Sequence, residues 1–309
     1  MLVVLGPTAS GKSRLCQAVA TRTGGEILSV DALKVYRGMD VGTAKPTPAE
    51  RAQVPHHGLD LVAASREFSV AEFQDYARPA IARIAARGNL PVLDATAPYY
   101  LKALIYGIDR GPGPQPEFRA AMESRPMPEL FAQLRALDPP AAARIGAGDR
   151  KRLVRALEIA RFGDRLPSDV RKWDEADAAY RWVLTGIRWP REMLYARVEA
   201  RTRAMFEAGW LEEVRRIRAA GGFSRTAGLA HGYRRLQQYL DGVLTLAEAA
   251  ALTIRDVRQF ARKSMTFFRS FPKVQWLEVT SEEEIDRAAT YLAHEMKAVM
   301  AATGMKPQP

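Results

Sequence analysis

Cysteine is almost absent from this 309-residue chain: Cys16 stands alone, so no intrachain disulfide can form. No uninterrupted apolar run approaches the roughly 18 residues a bilayer span needs, and no membrane partner is expected. The strand-like run starting at Leu2 leaves no room for a leader peptide, so a cytoplasmic protein is expected. Histidine is scarce too. His56 and His57 are adjacent while His231 and His294 are isolated, and with no cysteine cluster this spacing builds no zinc site. A structural loop role is expected for the pair. Acid is also in deficit: 46 Lys+Arg face 35 Asp+Glu, a net charge of +11. Residues 1–143 hold 16 basic and 14 acidic side chains, whereas residues 144–309 hold 30 and 21. Arg150-Lys151-Arg152 with Arg155, and the run from Arg255 to Lys273 opposed only by Asp256, are the densest patches. A general bias toward arginine would raise the total without clustering it. The clustering implies a polyanion bound mainly by the second half.

Against these absences stands one octet, Gly6-Pro7-Thr8-Ala9-Ser10-Gly11-Lys12-Ser13. It matches the phosphate-cradling pattern G-x-x-x-x-G-K-[ST] without a mismatch. The apolar run Leu2-Val3-Val4-Leu5 precedes it and a helix-compatible stretch follows from Lys12, which is the strand–loop–helix context the pattern needs. The loop's N–H groups and the helix N-terminus would hold anionic oxygens. Lys12 adds a point charge, and Ser13 offers its hydroxyl to magnesium. All eight residues are therefore candidates for diphosphate or nucleotide binding. The octet does not say what is done with the phosphates.

Leu2–Leu5, Glu26–Val30 and residues 90–93 read as strands, and residues 12–22 and 70–87 as helices, with Gly24-Gly25 and Gly88-Asn89 as turns. Strands alternating with helices predict an α/β fold with a parallel sheet covered on both faces. Ligands then bind beyond the carboxyl ends of the strands, in the loops after Leu5, Val30 and Leu93. Residues 110–128 carry seven Gly or Pro breaks and read as a linker or hinge. Helical patterns resume from Glu129 to about Phe162, with Asp138 before Pro139-Pro140 as a helix start. Arg188 to Ala220 is helix-rich, Leu246 to Arg269 is a helix entered from Thr245, and Ser281 caps a last helix. The predicted organisation is a P-loop-containing, nucleotide-hydrolase-like core (residues 1–110 and about 186–309) with a mainly helical insertion at about 111–185. Trp173, Trp182, Trp189 and Trp276 are expected to pack in cores rather than to stack bases.

Asp31 ends the second strand, beside the phosphate loop. By position alone it is equally a magnesium ligand, a general base or a helix cap. It opens the run Ser29 to Pro46, which includes Tyr36-Arg37-Gly38-Met39-Asp40 and Gly42-Thr43-Ala44-Lys45-Pro46. Together with the octet, Pro55-His56-His57, Glu67-Phe68-Ser69, Trp189-Pro190-Arg191, Gly232-Tyr233 and Arg258-Gln259-Phe260-Ala261, this run resembles the bacterial tRNA dimethylallyltransferases, over nearly the whole chain. The resemblance implies transfer of a dimethylallyl group from dimethylallyl diphosphate to N6 of the adenine 3′ to the anticodon of tRNA, with magnesium. It implies Asp31 as base, and Thr8 and Arg201 as catalytic partners at the leaving diphosphate. It assigns tRNA contacts to Asp31, Ala32, Leu33, Lys34, Thr96, Arg119, Lys151, Arg152, Leu153, Val154 and Arg155, and a monomer as the working state. Unlike the eukaryotic relatives, this chain carries no zinc-finger extension.

Three departures from the family pattern stand out. Ala32 and Lys34 replace the usual serine and glutamine, and Lys34 offers a cation to an RNA phosphate. Asp94-Ala95-Thr96-Ala97-Pro98 replaces an apolar residue followed by a glycine-rich loop. Arg262-Lys263-Ser264 stands where Lys-Arg-Gln is common. Asp94, at the end of Pro91-Val92-Leu93, also resembles the magnesium-organising aspartate of ATP-hydrolysing folds. Two alternatives therefore stay open: a P-loop phosphotransferase or NTPase, and a tRNA-binding relative whose chemistry has decayed.

Overall fold

Short, fully buried apolar runs make the central strands. All four residues of β1 (Leu2–Leu5) and all five of β2 (Glu26–Val30) are buried, as expected of parallel strands covered on both faces. The computed structural model describes residues 1–108, 110–146, 148–169 and 180–302. The chain divides into two compact units, Met1–Ile105 with Asp177–Pro309, and Tyr106–Ala176.

The first unit begins β1, α1 (Lys12–Thr23), β2, β3 (Tyr36–Arg37), α2 (Pro48–Gln53), β4 (His56–His57), β5 (Val62–Ala63), α3 (Val70–Ala86), β6 (Pro91–Ala95) and α4 (Pro98–Tyr106). It resumes with β7 (Val183–Arg188), α9 (Arg191–Glu207), α10 (Trp210–Ala219), α11 (Arg225–Gly228), α12 (His231–Leu240), α13 (Leu246–Phe268), β8 (Gln275–Glu278) and α14 (Glu282–Ala302). Six strands form one parallel sheet in the order β4-β2-β6-β1-β7-β8. Asp94 of β6 lies opposite Val4 on one side and Ser29 on the other. Leu15 and Val19 of α1 share a core with Leu292 and Met296 of α14, so the last helix shields the one that follows the phosphate loop.

Within the second unit, α5 (Pro116–Glu123), α6 (Met127–Leu137), α7 (Pro139–Arg144) and α8 (Arg150–Phe162) bury Met122, Leu130, Leu134, Leu153 and Leu157 together. The Asp138 carboxylate accepts the Ala141 N–H at 2.9 Å, capping α7 as expected.

Four expectations need correction. The 110–128 segment contains α5, because Pro116 sits in the first turn, where a missing N–H costs nothing. His56-His57 is a strand, not a loop, paired with β2. β6 runs two residues further than expected and takes in Asp94. β7 and β8 were not anticipated: Gly186 and Thr185 interrupt the apolar pattern of the first, and exposed ends shorten the second. Trp173 lies outside the described residues.

Candidate active site

The phosphate loop closes between β1 and α1. Gly11 caps α1 with φ at 89°, a backbone state open to glycine and strained for other residues. Two donors from the chain's return hold the loop's carbonyls. Trp189 Nε1 donates to Ser10 O at 3.0 Å, and Arg197 Nε donates to Ala9 O at 2.8 Å while its guanidinium lies 4.1 Å from the Trp189 ring centre. With those carbonyls engaged, the loop's N–H groups remain for an anion. Lys12 Nζ donates to Pro7 O at 2.7 Å. Burial pushes its ammonium down to about 8, a drop that the charge of Asp94 only partly offsets. Cys16 is wholly buried, and burial pushes its thiol well up, so it is inert packing.

Thr8, Ser13, Asp31, Lys34, Thr96 and Arg201 line one cavity of about 640 Å³, with Ala9 to Lys12, Ala32 and Leu33 also at its wall. Arg201 reaches from α9 to donate to Thr8 Oγ1 at 3.2 Å; it is half-buried, and loss of solvation pushes its guanidinium pKa down. Asp31 Oδ1 accepts the N–H groups of Leu33 and Lys34 at 2.7 and 3.2 Å, an Asx turn. Among the described residues, Asp31 Oδ2 has no hydrogen-bond partner. One oxygen of the carboxylate therefore holds the turn and leaves the other uncommitted, in a residue that lines the cavity.

Ser13 Oγ donates to Asp94 Oδ2 at 2.7 Å, and Lys34 Nζ lies 3.4 Å from the same oxygen. Burial pushes the Asp94 carboxyl up, but the charges of Lys34 and Lys12 and the Ser13 hydroxyl outweigh it, and it titrates below the usual carboxylate range. Lys34 is 4% exposed and turned toward Asp94, not outward to RNA as expected: a carboxylate at the end of a neighbouring strand captures it.

The far wall is held by a residue that sequence reasoning missed. Glu213 of α10 is 1% exposed, and its carboxylate accepts the N–H groups of Asp40 and Val41 at 2.7 Å each, that of Gly42 at 3.2 Å, and Tyr233 Oη–H at 2.6 Å. Trp210 lies so close that a Cβ on Gly42 or Gly232 would sit 2.0 or 1.9 Å from its ring. The Lys45 ammonium binds Tyr36 O, Asp40 and Asp60. The Gly-Thr-Ala-Lys-Pro run is therefore a clamped wall segment. Arg197 was missed as well, since no local pattern distinguishes it from other helix arginines. The histidine pair is occupied structurally, His57 Nε2 lying 2.6 Å from Glu26 Oε2 and His56 Nδ1 2.7 Å from Val54 O.

In the second unit, Arg119 makes two bonds to the Glu158 carboxylate, at 2.8 and 2.7 Å, and Arg155 makes a third at 2.5 Å. Glu158 is fully buried, and although burial pushes its carboxyl up, these arginines and the Gln115 N–H hold it below the usual range. Leu153 is buried in that unit's core, so its side chain is not available to RNA. Val154 packs partly against the same core, while Lys151 and Arg152 are exposed. No group of three or more His, Cys, Asp or Glu able to hold a metal occurs among the described residues. No described helix is long and apolar enough to cross a membrane.

A family model described as IPP transferase matches residues 34–271, and one described as isopentenyl transferase matches residues 1–57. A tRNA dimethylallyltransferase of Anaeromyxobacter dehalogenans is 44% identical over 286 residues, 90% of this chain and 94% of its own length. Another, of Leuconostoc citreum, is 40% identical over 301 residues, 96% and 98% of the two chains. The crystal structure of the full-length tRNA isopentenylpyrophosphate transferase of Bacillus halodurans matches with a TM-score of 0.71 at 33% identity, covering 99% of each chain. A eukaryotic dimethylallyltransferase acting on tRNA matches with a TM-score of 0.81 at 21% identity, over 98% of this chain and 79% of that one, a likeness of fold. With the family model spanning well over half its length and relatives this similar along most of it, the chain belongs to the IPP transferase family.

Proposed function

We propose that this protein transfers the dimethylallyl group of dimethylallyl diphosphate to N6 of the adenine 3′-adjacent to the anticodon in tRNA, releasing diphosphate. The observation that carries this reading is that the phosphate loop, the Thr8–Arg201 contact and Asp31 line one cavity. An exocyclic amine is a weak nucleophile, so a base must take its proton as the new C–N bond forms. Asp31 Oδ2 is suited to that proton. The C–O bond to the diphosphate breaks as the allylic carbon accepts the nitrogen, and the loop N–H groups, Lys12, Thr8 and Arg201 meet the charge that develops. A base stacked within an anticodon loop is out of reach of such a cavity and must be turned out of its stack, which costs a few kcal/mol repaid by contacts to the loop. Lys151 and Arg152, exposed on α8, suit phosphate contacts.

Magnesium fits the site. The Ser13 hydroxyl and a carboxylate oxygen 2.7 Å from it are hard oxygen donors of the kind this ion prefers. Ser13 would hold the ion, which supplies positive charge to the departing diphosphate. On this reading the working state is taken to be a cytoplasmic monomer.

The Ser13–Asp94 contact also favours a second reading, a nucleoside-triphosphate hydrolase or kinase. Labelled dimethylallyl diphosphate with unmodified tRNA, run beside ATP alone, separates the two. Label entering tRNA supports the transferase; phosphate release from ATP without such labelling overturns it, and neither leaves a tRNA-binding protein.

A further inference from the structure

Two of the departures from the family pattern meet in space. Lys34 follows β2 and Asp94 lies within β6, 60 residues apart, and their charged groups face each other at 3.4 Å inside the cavity wall. We propose that they form a charge-compensated metal subsite: Asp94 adds a carboxylate oxygen to the cation position at Ser13, and Lys34 neutralises that carboxylate while the cation is away.

The geometry of Asp94 points this way. It is 3% exposed, yet Oδ1 is buried with no hydrogen-bond partner among the described residues, while Oδ2 carries both the Ser13 hydroxyl and the Lys34 ammonium. A buried, unpaired carboxylate oxygen is costly unless something positive completes it. Lys34 completes it poorly, through one long contact to the other oxygen. An anionic side chain beside a phosphate cradle is also a contradiction by itself, because it repels the diphosphate that Lys12 and the loop attract. A divalent cation between them turns that repulsion into attraction on both sides. The register supports the placement: Asp94 pairs with Val4 in β1, whose strand feeds the phosphate loop, and with Ser29 in β2, whose strand ends one residue before Asp31. On cation arrival Lys34 is released toward the incoming anions of the same cavity.

This inference rests on the reading that the cradle holds a diphosphate. The test uses the whole chain, Mn2+ as probe and inorganic diphosphate, followed by electron paramagnetic resonance and by thermal melting. Asp94→Asn is expected to weaken Mn2+ binding about tenfold or more. Lys34→Gln is expected to tighten it severalfold, because a competing cation is gone. Lys34→Gln should also melt lower than wild type without metal and regain that loss when Mg2+ and diphosphate are added. Mn2+ affinities of both variants within twofold of wild type, with no metal-specific rescue of Lys34→Gln, would overturn the proposal and leave the pair as a structural ion pair. If the wild-type chain bound neither Mn2+ nor diphosphate, both this inference and the reading of the cradle would fail, a result distinct from the first.

Discussion

Asp31 Oδ1 holds the turn, and the proposed reaction gives the proton to Oδ2, so the two roles can be tested apart. Asp31→Asn keeps an oxygen to accept the Leu33 and Lys34 N–H groups, so the turn survives while the base is lost. Turnover should fall by about 10²–10⁴ with tRNA affinity nearly unchanged, measured as single-turnover rates beside filter binding. An equal fall in both would remove the base assignment. Lys12 shows the opposite tension, between stability and function. Its buried ammonium has a pKa of about 8 against 10.5 for the free side chain. Below pH 8 both folded and unfolded chains carry the proton, and the folded state bears the full cost, up to about 3 kcal/mol. Between pH 8 and 10.5 the unfolded chain holds more protons, so wild-type stability rises with pH. Lys12→Met should therefore melt higher than wild type at pH 7, by an amount that shrinks above pH 8, while losing diphosphate binding. A lower melting temperature at pH 7 would show that the bond to Pro7 outweighs desolvation.

At the scale of elements, the clamp between α10, α12 and the Gly38–Pro46 segment decides the shape of the far wall. Trp210 fits because Gly42 and Gly232 have no Cβ. Gly42→Ala should cost about 1–3 kcal/mol of stability and raise KM through wall displacement. Adding Trp210→Leu should recover part of the loss, a coupling that a double-mutant cycle by chemical denaturation would reveal. In the second unit, Arg155 is tied to a fully buried carboxylate. Arg155→Ala should cost about 1–3 kcal/mol by leaving Glu158 short of a donor, so any loss of RNA binding by that variant mixes affinity with unfolding. The elements themselves differ in how well they could be read. β1, β2 and α1 were legible because burial on both faces and glycine punctuation are local signals. β7 and β8 were not, because Gly186 answers to Trp276, 90 residues away, rather than to its own neighbours.

For the molecule as a whole, the asymmetry of charge is the quantity to test. Lys151 and Arg152 are exposed on α8, with no buried carboxylate depending on them. Replacing both with alanine should leave the melting curve in place, weaken tRNA binding and reduce the salt slope of log K by about 0.7 per lost phosphate contact. An unchanged slope would make them ordinary solvated side chains.

The chain order alone determined that a loop of the phosphate-cradling pattern lies between a buried strand and a helix, that a parallel α/β sheet surrounds it, and that Asp31 stands at its edge. These follow from signals spanning a dozen residues or fewer: apolar runs, a glycine pattern, a turn. Only the folded arrangement decided the partners of those residues: Arg201 for Thr8, Arg197 and Trp189 for the loop carbonyls, Glu213 for the Gly38–Pro46 wall, Asp94 for Lys34. The physical reason is separation. Each pair joins residues 60 to almost 200 positions apart, and electrostatics and packing act through space, where a sequence records only order.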